Sequence, residues 1–167
     1  MINKKLYKSP NIKNKKENKT KKEKKNKETF VNLLNLKKDF RYLEIGSYEG
    51  NSAIFVAKYF TESNIFCVDT WMGSDEHSGQ NFSEIEKNFL YNIKEFKNVH
   101  QIKSSSNLFF LNNKEFYDCI YIDGDHNAEQ VFLDCQNAWS ILTNGGYLIC
   151  DDYTWKFYKE NNKNPCF

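Results

Sequence analysis

The amino-acid sequence predicts an α/β protein with a Rossmann-like, doubly wound parallel sheet in three layers, α/β/α. Five apolar segments alternate with segments of helical periodicity between residues 40 and 152. The strand-like segments are almost continuously apolar, which is typical of parallel strands covered on both faces. Glycine and acidic residues come at the carboxyl ends of these strands, where ligands bind in such sheets. The order of the elements and the position of the polar residues therefore indicate the same fold.

The first part of the domain is predicted to be helix, strand, helix, strand. In TFVNLLNLKK (29–38) the apolar residues have the spacing of a short amphipathic helix. FRYLEI (40–45) predicts the first strand, which ends in the glycine-bearing turn GSYEG. The segment 51–60 is predicted to be helical, and NIFCVD (64–69) predicts the second strand.

The middle part begins with a polar loop, predicted at 70–81. The helix predicted at 82–96 has apolar residues at positions 82, 85, 89, 93 and 96, which form one stripe along a helix. NVHQIK (98–103) predicts the third strand, and a short helix is expected at 105–112.

The last part is predicted to be strand, helix, strand. FYDCIYID (116–123) predicts the fourth strand. The helix predicted at 128–142 places one set of apolar residues on its buried face: Ala128, Val131, Phe132, Cys135, Trp139 and Leu142. The NGG segment (144–146) is predicted to end this helix, and YLICDD (147–152) predicts the fifth strand.

The first 28 residues differ in composition from the rest of the chain. They hold twelve Lys and three Glu, a net charge of +9, whereas the other 139 residues hold 12 basic and 19 acidic side chains. Because this Lys/Asn-rich segment has few apolar residues to bury, it predicts a disordered tail before a domain at 29–167. The alternative is an arm that binds nucleic acid non-specifically, although the tail has no Arg and only one aromatic residue, Tyr7.

Several classes of protein are excluded by simple patterns. The tail lacks the apolar segment that a secretory signal peptide contains. No apolar stretch of the chain reaches the ~18 residues that a membrane-spanning helix needs. The five cysteines, at 67, 119, 135, 150 and 166, contain no C-x-x-C pair. We therefore expect reduced thiols, a cytoplasmic location, no membrane association and no structural zinc site.

The segment LEIGSYEG predicts a nucleotide-type binding site. Glu44 precedes a glycine turn, and Gly46 lets a ligand approach the backbone closely. Asp69 ends the second strand, where an acid can hold the hydroxyls of a ribose. A nicotinamide cofactor and S-adenosylmethionine both fit this spacing, and a tight turn with an exposed acid is the structural alternative. The lack of a G-x-G-x-x-G turn, and an acid that would repel a diphosphate, favour the cationic S-adenosylmethionine.

The sequence here resembles class I S-adenosylmethionine-dependent methyltransferases. YLEIGSYEGNSA and IFCVDTW are similar to their first two motifs, and YIDGDHNAEQVFLDCQNAWSILTNGGYLICDDY is similar to methyltransferase family 24, which includes macrocin-type sugar O-methyltransferases. The resemblance covers about residues 40–155. It implies that Glu44 and Gly46 flank the methionine end of the cofactor, that Asp69 binds the ribose, and that Ser105, in place of the family's usual acid, lies beside the adenine. The predicted cofactor-binding residues are Glu44, Gly46, Ser47, Asp69, Ser105 and Asp123.

The carboxylates of Asp123, Asp151 and Asp152 come at the ends of neighbouring predicted strands and predict a metal site. They would repel one another without a cation, and a set of oxygen ligands selects a hard ion such as Mg²⁺. The family resemblance implies the same arrangement, with one acid after strand four and an acidic pair after strand five. A divalent ion would lower the pKa of a substrate hydroxyl.

Asp125 and His126 are the candidates for the catalytic base that takes the hydroxyl proton. Asp125 is preferred because sugar-type members of the resembled family have an acid at this position, whereas His126 titrates nearer neutral pH. The structural alternatives are a turn residue after Gly124 and a contact at the start of the next helix. In the loop after strand two, Trp71, Asp75, Glu76 and His77 could contact the substrate.

The predicted function is metal-assisted O-methylation of a small-molecule or sugar hydroxyl. The resembled enzymes continue beyond strand five into a helix and an antiparallel strand pair, which this chain lacks. We therefore expect a C-terminally truncated domain with an open sheet edge, which a homodimer could cover. The alternatives are a degenerate S-adenosylmethionine-binding module or gene fragment, and an NAD-type oxidoreductase.

Overall fold

The structure, a computed structural model, describes residues 39–74, 81–152, 154 and 156–165. The predicted tail at 1–28 and the predicted helix at 29–38 lie outside the described residues. No helix in the described part of the chain is long and apolar enough to cross a membrane.

Strands and helices alternate along the described residues. The strands are β1 (Arg41–Ile45), β2 (Asn64–Asp69), β3 (Val99–Lys103), β4 (Tyr117–Ile122) and β5 (Leu142–Cys150). The helices are α1 (Asn51–Tyr59), α2 (Phe82–Ile93), α3 (Ser106–Asn112) and α4 (Ala128–Ser140), with a 3₁₀ turn at Asn161–Lys163.

The five strands form one parallel sheet in the order β3-β2-β1-β4-β5. The chain runs from β1 through β2 to β3 on one side and then returns to place β4 and β5 on the other side. This arrangement confirms the predicted Rossmann-like, doubly wound fold. The strand order reverses between β1 and β4, so a ligand crevice is expected at the carboxyl ends of these two strands.

Alternate residues of each strand point to opposite faces of the sheet. One face forms the core with α3 and α4, in which Leu43 and Ile120 pack with Phe109 and Ala138. Glu44, Cys67 and Tyr121 are register partners on β1, β2 and β4, so they share the other face. The side chains that matter for the site lie on this second face and in the turns beyond it.

Two details of the prediction were wrong. β5 begins at Leu142 rather than at residue 147, so the glycines at 145 and 146 belong to the strand. They lie near the point where the pairing register between β4 and β5 shifts. The predicted buried face of α4 is also rotated, since Phe132 and Trp139 are 67% and 70% exposed. The helix buries Asp134 instead, whose carboxylate accepts a 2.9 Å hydrogen bond from the Gln130 amide and is thereby compensated.

Candidate functional site

The turn after β1 lies directly against the turn after β4. Gly46 has φ +87°, and a Cβ at this position would be 2.1 Å from the backbone oxygen of Asp123. Its N–H donates to the carbonyl of Val68 at 2.8 Å. A glycine is therefore required at position 46, because φ is positive and because the Asp123 backbone leaves no space for a side chain. At this contact the predicted cofactor turn lies against the predicted metal turn.

Glu44 is a fully buried acid on β1, next to this turn. Its Oε2 accepts a 3.1 Å hydrogen bond from the Tyr42 hydroxyl, whereas its Oε1 has no hydrogen-bond partner among the described residues. Burial raises the pKa of Glu44 from its ordinary value of 4.5 to about 8; the charge of Asp123 also raises this pKa, and the hydroxyls of Ser52 and Tyr42 only partly oppose the rise. At neutral pH the carboxyl is therefore mostly protonated when no cation lies beside it.

Ser47 follows Gly46 and is 3% exposed. Its hydroxyl oxygen also has no hydrogen-bond partner within the part of the chain that the structure describes. Because buried polar atoms are normally hydrogen-bonded, Ser47 and Glu44 have the unsatisfied groups that a polar ligand would use. Binding of the amino-acid end of S-adenosylmethionine by these two residues remains a prediction.

Asp69 connects the loops after β1 and β2. Its two carboxylate oxygens accept hydrogen bonds from the backbone N–H groups of Tyr48, at 2.8 Å, and Trp71, at 2.7 Å. Both of these residues have a positive φ of 49°. A carboxylate can accept further hydrogen bonds with its remaining lone pairs, so a ribose-binding role is compatible with this geometry and remains a prediction. The role of Asp69 in holding the loops was not predicted from the sequence.

Of the four residues after β2 that were predicted to contact the substrate, the structure describes Trp71. Trp71 is 4% exposed, and its ring centroid lies 4.8 Å from that of Phe89. Trp71 therefore belongs to the packed interior rather than to an open loop. Asp75, Glu76 and His77 lie outside the described residues.

Ser105 is the N-cap residue of α3. Its hydroxyl accepts a 3.3 Å hydrogen bond from the backbone N–H of Leu108, which is the usual arrangement at a helix start. The preceding residue, Ser104, donates its N–H to the carbonyl of Asp69 at 3.0 Å, so this segment lies close to the end of β2. A contact of Ser105 with adenine remains a prediction.

Asp123, His126 and Asp152 converge beyond the ends of β4 and β5. The Nε2 atom of His126 lies 3.5 Å from Oδ1 of Asp123 and 3.7 Å from Oδ2 of Asp152. The side chains are only 18%, 8% and 16% exposed, in the order Asp123, His126, Asp152. One ligand atom from each lies within 4.8 Å of the other two, and this set of donors could hold a metal ion.

Asp151 and Asp125 make other contacts. The Asp151 carboxylate accepts a 2.5 Å hydrogen bond from the Tyr121 hydroxyl and a 2.8 Å hydrogen bond from the N–H of Asp152. Oδ1 of Asp125 accepts from the N–H of Asn127 at 2.9 Å, just before α4 begins. Asp151 as a metal ligand and Asp125 as a base therefore remain predictions, and the contact of Asp125 matches its structural alternative as a turn residue.

Tyr121 was not predicted as a site residue. It lies within YIDGDH, at the end of the segment that predicts the fourth strand. Its position two residues before Asp123 places both side chains on one face of the sheet, and this spacing was a usable signal. Burial raises the pKa of the Tyr121 hydroxyl, and the nearby charges of Asp123 and Asp151 raise it further, so the group is a hydrogen-bond donor at neutral pH.

Comparison with known proteins identifies a family, a relative and solved structures that this chain resembles. The model of a family described as a methyltransferase domain matches residues 43–153. The uncharacterized protein R132 of Acanthamoeba polyphaga mimivirus is 31% identical to this chain over 127 residues, which cover 70% of this chain and 53% of that protein. This chain therefore spans about half the length of that relative.

Two solved structures illustrate the shared fold. A proposed caffeoyl-CoA O-methyltransferase from Staphylococcus aureus has a TM-score of 0.56 and 20% identity, covering 85% of this chain and 59% of its own. Fibrillarin from Aeropyrum pernix, in complex with natively bound S-adenosyl-L-methionine, has a TM-score of 0.50 and 18% identity, covering 76% of this chain and 52% of its own. At these identities the likeness shows the fold alone.

Proposed function

The chain belongs to a family of methyltransferase domains, and we propose that it methylates a hydroxyl of a small molecule or sugar with the help of a divalent cation. It is an enzyme of the class I S-adenosylmethionine-dependent type. The observation that carries the proposal is the cluster of Asp123, His126 and Asp152, because it lies against the cofactor turn through the contact of Asp123 with Gly46. The cluster and the turn together offer one place for a methyl donor and one for a hydroxyl group to be activated.

S-adenosylmethionine supplies the methyl group. On the proposed assignment, the Glu44 carboxyl and the Ser47 hydroxyl receive the charged amino-acid end of the cofactor. A cation beside Glu44 would stabilise the ionised carboxylate, which burial alone disfavours. Asp69 would accept from the ribose hydroxyls while it holds the loops after β1 and β2, and Ser105 would lie near the base.

Asp123 and Asp152 are the proposed cation ligands. A hard ion such as Mg²⁺ binds oxygen at about 2.1 Å, so two of its ligands lie at most about 4.2 Å apart. The ligand atoms of the cluster, within 4.8 Å of one another, therefore need to approach by only about half an ångström. When bound, the cation lowers the pKa of an adjacent hydroxyl and orients its oxygen.

His126 is the proposed base in preference to Asp125. Its Nε2 lies within 3.7 Å of both proposed ligands, and it is therefore next to any hydroxyl that reaches them. Asp125 instead accepts a backbone hydrogen bond from Asn127 in its turn. His126 would take the hydroxyl proton, and Asp123 and Asp152 would stabilise the resulting imidazolium.

The proposal is tested by separating cofactor binding from cation binding. Calorimetry of the full chain with S-adenosylhomocysteine, and titration with Mn²⁺ followed by electron paramagnetic resonance (EPR), measure the two affinities. We expect Asp152→Ala to lose Mn²⁺ and keep S-adenosylhomocysteine, and Asp69→Ala to do the reverse. His126→Gln should keep Mn²⁺ and lose transfer of labelled methyl to a panel of sugar and catechol hydroxyls.

Each opposite result has a distinct meaning. If S-adenosylhomocysteine does not bind, the cofactor site is wrong. If His126→Gln loses Mn²⁺, then His126 is a ligand rather than the base. Cofactor binding without Mn²⁺ binding or methyl transfer would instead identify a binding module that does not turn over.

We also propose self-association through β5. It is an outer strand of the described sheet, and an outer strand carries backbone groups that a second strand can pair with. Light scattering coupled to size exclusion would show a dimer, and a monomer at the concentrations used for the binding experiments would contradict this proposal.

A further inference from the structure

The carboxylates of Asp151 and Asp152 are adjacent in sequence and differ in their surroundings. Asp152 lies 3.7 Å from the His126 ring nitrogen and belongs to the candidate cation cluster. Asp151 is directed to Tyr121, which is 7% exposed and lies on β4, between β1 and β5. The pair therefore does not act as two equivalent ligands in this arrangement.

Both oxygens of Asp151 have a partner within the protein. Oδ2 accepts from the Tyr121 hydroxyl at 2.5 Å, and Oδ1 accepts from the backbone N–H of Asp152 at 2.8 Å. A hydrogen bond to a charged carboxylate is roughly twice as strong as one between neutral groups. The Asp151 side chain thus connects a buried hydroxyl on β4 to the backbone of the residue that follows it.

That residue has an unusual backbone conformation. Asp152 has φ +47°, in the left-handed region, which costs a non-glycine residue about 1–2 kcal/mol. Such a conformation persists only when its surroundings fix it. The hydrogen bond from the Asp152 N–H to Asp151 is one of the contacts that fix it, and the conformation sets the direction in which the Asp152 carboxylate leaves the chain.

We propose that Tyr121 and Asp151 form a positioning pair that holds Asp152 in place as a cation ligand. Tyr121 anchors the Asp151 carboxylate, Asp151 holds the backbone of Asp152, and the Asp152 carboxylate is thereby presented to Asp123 and His126. This inference rests on the proposed cation site. It assigns Asp151 to orientation rather than to direct ligation, and it gives a function to the buried hydroxyl of Tyr121.

The Mn²⁺ affinity of the full chain, measured by EPR, tests the pair. Outer groups that orient metal ligands typically contribute 10–100-fold to affinity. We expect about 10-fold weaker Mn²⁺ binding in Tyr121→Phe and in Asp151→Asn. The double variant should lose no more than either single variant, because both residues act through one chain of hydrogen bonds.

A matched control is available on the neighbouring strand. Tyr147 pairs with Cys119 and shares the face of Tyr121, so Tyr147→Phe makes the same chemical change one strand away and should bind Mn²⁺ as the wild type does. Thermal unfolding and S-adenosylhomocysteine affinity should change little in the three single variants. A purely structural role of Tyr121 would lower the unfolding temperature without a selective loss of Mn²⁺.

Three outcomes would overturn the inference. Wild-type Mn²⁺ affinity in Tyr121→Phe would show that the hydroxyl does not orient the site. A much larger loss in Asp151→Asn than in Tyr121→Phe, with additive effects in the double variant, would show that Asp151 ligates directly. If the wild type binds no Mn²⁺, the proposed cation site itself is refuted, and the inference with it.

Discussion

The buried carboxyl of Glu44 should make the stability of this protein fall as the pH rises. Burial raises its pKa from 4.5 to about 8 in the folded state, whereas the unfolded chain has the ordinary value. Between these two pH values the folded state keeps a proton that the unfolded state releases. The stabilising contribution is therefore complete below about pH 4.5 and is lost progressively as the pH approaches 8.

The size of the effect follows from the width of this pH range. Each pH unit within it changes the free energy of unfolding by about 1.4 kcal/mol for one proton. Between pH 5.5 and 7.5 the contribution of Glu44 should therefore fall by about 3 kcal/mol. Glu44→Gln removes the titrating group and keeps the shape of the side chain, so its stability should lack this component of the pH dependence.

Urea unfolding of both proteins at pH 5.5, 6.5 and 7.5 measures the difference. Relative to Glu44→Gln, the wild type should become less stable by about 3 kcal/mol across this range. Glu84→Gln, in an exposed position of the first turn of α2, is the control and should follow the wild type. A stability difference between wild type and Glu44→Gln that is constant with pH would refute the reasoning.

Other predictions concern single residues of the site and its surroundings. Gly46→Ala should destabilise the fold by at least about 3 kcal/mol, since the new methyl group would lie 2.1 Å from the Asp123 carbonyl oxygen at φ +87°; a thermal unfolding temperature equal to that of the wild type would contradict this. Asp69→Asn should weaken S-adenosylhomocysteine binding about 10-fold, by calorimetry, because an amide oxygen is a poorer acceptor than a carboxylate; unchanged affinity would remove Asp69 from the cofactor site. The thiols of Cys135 and Cys150 are 3.3 Å apart, so hydrogen peroxide should join them in a disulfide with release of two waters. Peptide mass spectrometry would show the loss of two hydrogen atoms, and two unlinked, reduced cysteines after treatment would be the contrary result.

Most of the fold was predictable from the sequence because its elements have simple local signals. The strands are almost continuously apolar, and the stripe of 82–96 is regular enough to predict α2, which ends three residues earlier. The error in α4 has a physical cause. Phe132 and Trp139 are apolar but exposed, whereas Asp134 is buried and hydrogen-bonded, and hydrophobicity alone cannot predict a buried acid that has a partner.

The candidate site was predictable in location more than in detail. The position of Asp123 and Asp152 at strand ends was sufficient to place both at one edge of a parallel sheet. The different environments of Asp151 and Asp152 depend on the left-handed conformation of Asp152 and on the hydroxyl of Tyr121. Both are tertiary features, because the sequence does not state which of two neighbouring carboxylates turns back towards the sheet.

The contact between Gly46 and the backbone of Asp123 has a consequence for the thermodynamics of binding. No side chain separates the turn that would hold the cofactor from the turn that would hold the cation. We therefore expect a displacement of one turn to shift the other. If the bound cofactor changes the affinity for the cation by some factor, the bound cation changes the affinity for the cofactor by the same factor. The affinity for either ligand would therefore depend on whether the other is bound.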